Sequence, residues 1–182
     1  MIDFNCNPVT YIQRLNAHIG RCMCVMPGER TVPYAQQGKD TWVLCRGHIE
    51  GNLAKKLFPG DDMVLRPLQL QWGGELQLYA RLRQRKNGQG VVAKAKLTCL
   101  GIPGANPNKV LSLRYDWDEG KPSGNGWDDD LGDNFEHPWH HFHVNFDLSN
   151  EANELRMPLG PACMITFLRA FDYWYCKTFN PT

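Results

Sequence analysis

The sequence predicts an α+β fold, with a central antiparallel β-sheet, an N-terminal helix and a C-terminal helix packed against one face of it. Two observations carry that prediction. Runs alternating apolar and polar residues fill the middle of the chain, and alternation with period two is the signature of half-buried strands. At each end the apolar residues recur at helical spacing instead. The 182 residues suit one domain, 1–182, able to bury its own core, and 42% hydrophobic with 21% charged residues is an ordinary globular balance.

The N-terminal helix opens at Asn7-Pro8, because asparagine caps well and proline suits the first helical position. Val9, Ile12, Leu15 and Ile19 give its apolar side, and Gly20 ends it. RCMCVM (21–26) reads as a short strand, and a second strand is expected around Trp42–Cys45. VLRPLQLQW (64–72) alternates, with Pro67 restricting it to an edge or an interrupted strand. After Gly73-Gly74, Leu76, Leu78, Ala80 and Leu82 alternate with Gln77, Tyr79, Arg81 and Arg83. Beyond the Asn87-Gly88 turn, Val91, Ala93, Ala95, Leu97 and Cys99 alternate with Val92, Lys94, Lys96 and Thr98, which makes a β-hairpin. The run 110–117 places Leu111, Leu113, Tyr115 and Trp117 on one face, with Ser112, Arg114 and Asp116 on the other. An acidic, Gly-rich loop (118–136) separates it from the next strand, and LRMPLG (155–160) is a short strand or extended entry. From Pro161, Met164, Ile165, Phe167, Leu168, Phe171, Trp174 and Tyr175 form the apolar stripe of a helix over 161–178, with Phe167 and Trp174 buried.

A net charge of +1 conceals two opposed segments. Arg81, Arg83, Arg85, Lys86, Lys94 and Lys96 are followed by a stretch, Asp116 to Glu136, holding eight acids and one lysine. Arg81, Arg83, Arg85, Lys94 and Lys96 are candidate nucleic-acid-binding residues, because cations gathered on one face of a hairpin need a counter-charge. The seven cysteines follow no disulfide-framework spacing, and the N-terminal residues lack the pattern of a signal peptide. Reduced thiols, a cytoplasmic location and no membrane contact are expected.

The chemistry is concentrated in HPWHHFHVNF (137–146), which holds four of the six histidines. Strand alternation puts Phe142, Val144 and Phe146 on the core side together with His140. Trp139, His141, His143 and Asn145 take the opposite side. The Cβ atoms of His141 and His143 are then roughly 6–7 Å apart, two strand rises. If this strand pairs antiparallel with 110–117, Arg114, Asp116, His141, His143 and Asn145 share one face. RNA cleavage needs a base for the 2′-hydroxyl, an acid for the leaving oxygen and a cation for the phosphorane. His141 and His143 can divide the proton transfers, Arg114 can supply the charge, and Asp116 can orient an imidazole. That mechanism needs no cofactor.

Arg114-Tyr115-Asp116, followed by His137-Pro138-Trp139-His140-His141-Phe142-His143, resembles the paired RYD and HP…HH.H elements of TumE-like toxins from bacterial toxin–antitoxin modules. The resemblance spans about 30 residues and carries over Arg114, Asp116, His137, His141 and His143 by motif position. It implies an intracellular toxin or defence effector acting on RNA and restrained by an antitoxin or other protein partner. Two other function classes fit the same residues. One is a metal-dependent hydrolase with a divalent ion on His141, His143 and either His137 or Asp116. The other is a non-catalytic nucleic-acid- or protein-binding subunit of a larger complex.

Overall fold

In the computed structural model, residues 2–28, 30–47, 56–103, 110–118, 140–145, 154–158 and 164–180 are described. Among them are nine strands in one sheet, flanked by two helices. The strands are β1 (Ile2–Phe4), β2 (Tyr34–Gln36), β3 (Thr41–Arg46), β4 (Leu68–Gln69), β5 (Glu75–Gln84), β6 (Gly90–Pro103), β7 (Val110–Asp118), β8 (His140–Asn145) and β9 (Glu154–Pro158). The helices are α1 (Pro8–Ile19) and α2 (Met164–Phe179). The main path runs β2-β3-β5-β6-β7-β8-β9, with β1 on β6 and β4 on β5, and the pairings are antiparallel. The α+β expectation holds in class and in order.

Each element follows from local chemistry. The Asn7 side chain accepts from the Thr10 amide at 2.8 Å, and Pro8 starts α1. Tyr11, Ile12, Leu15 and Ile19 of that helix are buried on the sheet. The β5–β6 hairpin closes through Gly88 at φ 84°, a conformation glycine adopts without the Cβ penalty. On the helix-covered face, Leu78, Leu97 and Tyr115 lie in one cross-strand row, continued in register by Phe142 and Met157. Tyr115 stacks on Phe167 of α2 with centroids 5.0 Å apart. Helix α2 is also tied by polar bonds. The Tyr175 hydroxyl donates to the Gly73 carbonyl at 2.6 Å and accepts from the Trp72 amide at 3.2 Å. Asp172 accepts from the Cys24 amide at 2.8 Å.

Several expectations are corrected. RCMCVM is not a strand: Val25 makes only an isolated bridge to Leu70. The 64–72 run, by contrast, is interrupted as expected: a 3₁₀ turn at Asp62–Leu65 precedes a strand confined to Leu68–Gln69, because Pro67 has no amide to give a ladder. A bulge between Arg81 and Leu82 leaves Ala93 as the extra residue, so that Val92, not Ala93, pairs with Leu82. Trp174 is 37% exposed and Phe167 only half-buried. The α2 stripe consists of Met164, Leu168, Phe171 and Tyr175. Positions 164, 168, 171 and 175 repeat by four, three and four residues, and Trp174 falls about 100° to one side of Tyr175.

Leu168→Ala should therefore destabilise by about 2–5 kcal/mol in chemical denaturation, and Phe167→Ala by less. Burial pushes the Tyr175 hydroxyl up to about 12. Its neutral form is favoured by folding, so the associated stability is complete below pH 10 and lost as pH rises through about 12. In Tyr175→Phe this alkaline loss should shrink, while stability at neutral pH drops by about 1–3 kcal/mol as the Gly73 and Trp72 groups lose their partner.

Candidate functional site

The other face of the sheet is read from the same register. One row runs Cys45–Tyr79–Lys96–Asp116–His141–Pro158 across β3, β5, β6, β7, β8 and β9. The next runs Gln77–Thr98–Arg114–His143–Arg156. Positions directly opposite in an antiparallel pair share a face. The β7–β8 pairing therefore brings Arg114, Asp116, His141 and His143 to adjacent positions, with Asn145 opposite Ser112 one step along. His140 pairs with Trp117, on the side of the core row. His137 and Trp139 lie outside the described residues, as do His48, Phe146, Cys163, the 119–136 part of the acidic loop and the 104–109 loop.

This face is not uniformly open. At its β3 end, Cys45 packs with Phe58 and Val64 in a second small core, supported by Ala35 and Leu57. The Gly47 amide donates to the Val64 carbonyl at 2.7 Å, and Gly47 at φ 72° lies so close to Pro67 that a Cβ would stand 2.8 Å from its Cα. The 57–65 segment is thereby clamped over β3 and walls one side of the face. Tyr79 and Lys96, half-buried, begin the polar stretch that continues through Asp116 to His141.

Acidic positions face the basic hairpin across the sheet register. Lys96 stands opposite Asp116, and Lys94 opposite Asp118. These acids come from β7, outside the 81–96 segment whose own composition shows no anion. Arg81 pairs with Lys94, and Arg81, Arg83 and Arg85 are exposed. In register the hairpin thus sets its lysines opposite acidic positions of β7 and its arginines toward β3 and the turn.

Two positions in the histidine rows were not singled out from sequence. Arg156 is placed beside His143 by β9, and the alternation in ELRMP was the available signal. Thr98 lies beside Arg114 on β6, in a run read for its lysines. Other chemistry-bearing residues lie elsewhere. Among the described residues, no group of three His, Cys, Asp or Glu converges as a metal site. Cys24 and Cys99 are buried and their thiols are held well above the usual range, Cys24 first by its hydrogen bond with Cys22 and Cys99 by burial alone, which leaves them poor nucleophiles. A cavity of about 280 Å³ at the start of α1, lined by Asn7, Gln13, Trp42 and Gln84 among others, has no titratable side chain in its wall.

If the hairpin meets RNA, reversing Arg81 and Arg83 to Glu should weaken binding and lower the salt slope by roughly 0.7 per lost phosphate contact. Lys94→Glu, opposite Asp118, should change the slope less and stability more. Filter binding across a salt series, with thermal melts of each variant, reads both effects.

No protein-family model, curated protein or solved structure matches the chain.

Proposed function

We propose that the outer face of β7 and β8 cleaves RNA phosphodiester bonds by general acid–base catalysis, in an intracellular toxin or defence effector. The β7–β8 register carries this reading, because it sets Asp116 opposite His141 and Arg114 opposite His143. Two imidazoles two residues apart on one strand can reach the two oxygens that exchange protons at a single phosphate. The fixed positive charge needed as the phosphorane forms comes from Arg114, whose planar fork suits phosphate oxygens.

His143 and His141 divide the two roles. In register His143 lies between Arg114 and Arg156, and His141 lies opposite Asp116. We assign His143 as the base that takes the 2′-hydroxyl proton, and His141 as the acid that protonates the 5′-oxygen leaving group. RNA approaches along the arginines of the hairpin.

His141→Ala and His143→Ala should each lower cleavage by about 10²–10⁴-fold while melting like the parent. Activity in the parent should survive a chelator. Loss on chelation, restored by one added divalent ion, would replace proton transfer with metal ligation by the same histidines. The pH–rate profile should be bell-shaped. Parent-level cleavage in both histidine variants would leave the face a binding surface only.

A further inference from the structure

Thr98 occupies the row between Gln77 of β5 and Arg114 of β7. It is 8% exposed, and its Oγ1 is shielded from water with no hydrogen-bond partner among the described residues. Buried hydroxyls are nearly always satisfied, and an orphan is a standing cost. Valine has almost the same shape, forms strands as readily and would remove that cost. A threonine here is thus a poor choice for stability alone.

The surroundings define what the hydroxyl lacks. Arg114 carries only donors, so it offers the Thr98 proton no acceptor. On the other side, the Gln77 amide is turned along its own strand, donating to Glu75 Oε1 at 2.9 Å. A phosphate oxygen is an acceptor, and a guanidinium one strand away is the side chain best suited to hold the same group. Gln77 and Arg114 are both half-buried, so the ends of these two long side chains, rather than the strands, are what a ligand would displace to reach the hydroxyl. The shielded setting strengthens any hydrogen bond formed there.

We propose that Thr98 is a phosphate-contacting residue whose Oγ1–H donates to an oxygen of the same phosphate group that Arg114 holds. This rests on reading the face as a phosphodiester site, and it names the group that anchors the scissile phosphate. Thr98 lies two strands from His143, so it binds the phosphate and takes no part in proton transfer.

Inorganic phosphate is the probe, titrated into the full chain and followed by its ³¹P line width and by the thermal midpoint. The parent should bind saturably, Thr98→Ser within about twofold of it, and Thr98→Val about tenfold more weakly, as for loss of one charge-assisted hydrogen bond. Without phosphate, Thr98→Val should melt at or above the parent, which a purely structural hydroxyl would not allow. Thr98→Ala serves if the valine variant fails to fold. Equal phosphate affinity in the parent and in Thr98→Val, or no saturable binding in the parent, overturns the proposal. RNA cleavage by the same proteins separates the two readings. Phosphate binding that depends on Thr98, without cleavage by the parent, keeps the anchor and removes the chemistry. Cleavage by the parent with Thr98→Val unaffected in both assays keeps the chemistry and removes the anchor.

Discussion

Strand β7 is held against β6 from Lys94–Asp118 to Pro103–Val110, and this register governs both faces of the sheet at once. Side chains alternate with period two, so a slip of one residue would exchange Tyr115 with Arg114. The arginine would then face Phe167 and the interior, where an unpaired charge costs several kcal/mol, and a large aromatic side chain would leave the core. Because β8 is registered on β7, the same slip would carry His141 and His143 away from Asp116 and Arg114. Core packing and site geometry are therefore specified by one set of contacts. The bulge between Cys99 and Ile102 bends β6 where Gly74 crosses it, and a Cβ on Gly74 would stand 2.7 Å from the Leu100 carbonyl oxygen.

The near-zero net charge has a structural meaning. Basic β6 and acidic β7 are neighbours, and their register matches Lys94 to Asp118 and Lys96 to Asp116. Opposite charges at facing positions of a strand pair favour that pairing, where like charges would oppose it. The arginines on either side of this strip differ from it. Arg81 and Arg83 lie toward the turn, and Arg114 and Arg156 bracket His143. The lysine–acid register favours the pairing of β6 with β7, and the arginines lie outside it.

Much of this architecture was legible because it rests on local rules. Asn7-Pro8 and Gly20 bounded α1, Asn87-Gly88 marked the hairpin, and alternation through 110–117 and 140–145 put Arg114, Asp116 and the two histidines on a common face. The failures arose where a single residue changes phase. Ala93 reads as one more apolar step of an alternation, and nothing in its neighbours announces a bulge. Trp174 lies beside the buried stripe and shares its apolar character, yet a 100° turn from Tyr175 is enough to expose a third of it. In the 64–72 run the phase-changing residue was visible: Pro67 announced an interrupted strand, and the strand is confined to two residues after a 3₁₀ turn at 62–65. Arg156 and Thr98 were missed for another reason. Their relation to the site is cross-strand, and it exists only once β6, β7, β8 and β9 are aligned.

The polar positions of the candidate site alternate along the chain with its best-packed residues. Arg114 lies between Leu113 and Tyr115, and Thr98 between Leu97 and Cys99, each of these neighbours being buried. An outward side chain on such a strand inherits its position from the core residues on either side, without needing a dedicated support of its own. A substitution at Tyr115 or Leu97 would thus disturb the face by loosening the strand beneath it, whereas Arg114 can be changed without opening a cavity in the core. The two polar bonds of Tyr175 and the Asp172–Cys24 bond act at the far side of the same system. They fasten α2 to the loops around Gly73 and Cys24, and α2 in turn presses Phe167 onto Tyr115. The path from these bonds to the histidine rows runs through Tyr115, a single residue with one face against the helix and a backbone that holds Arg114 and Asp116 in register.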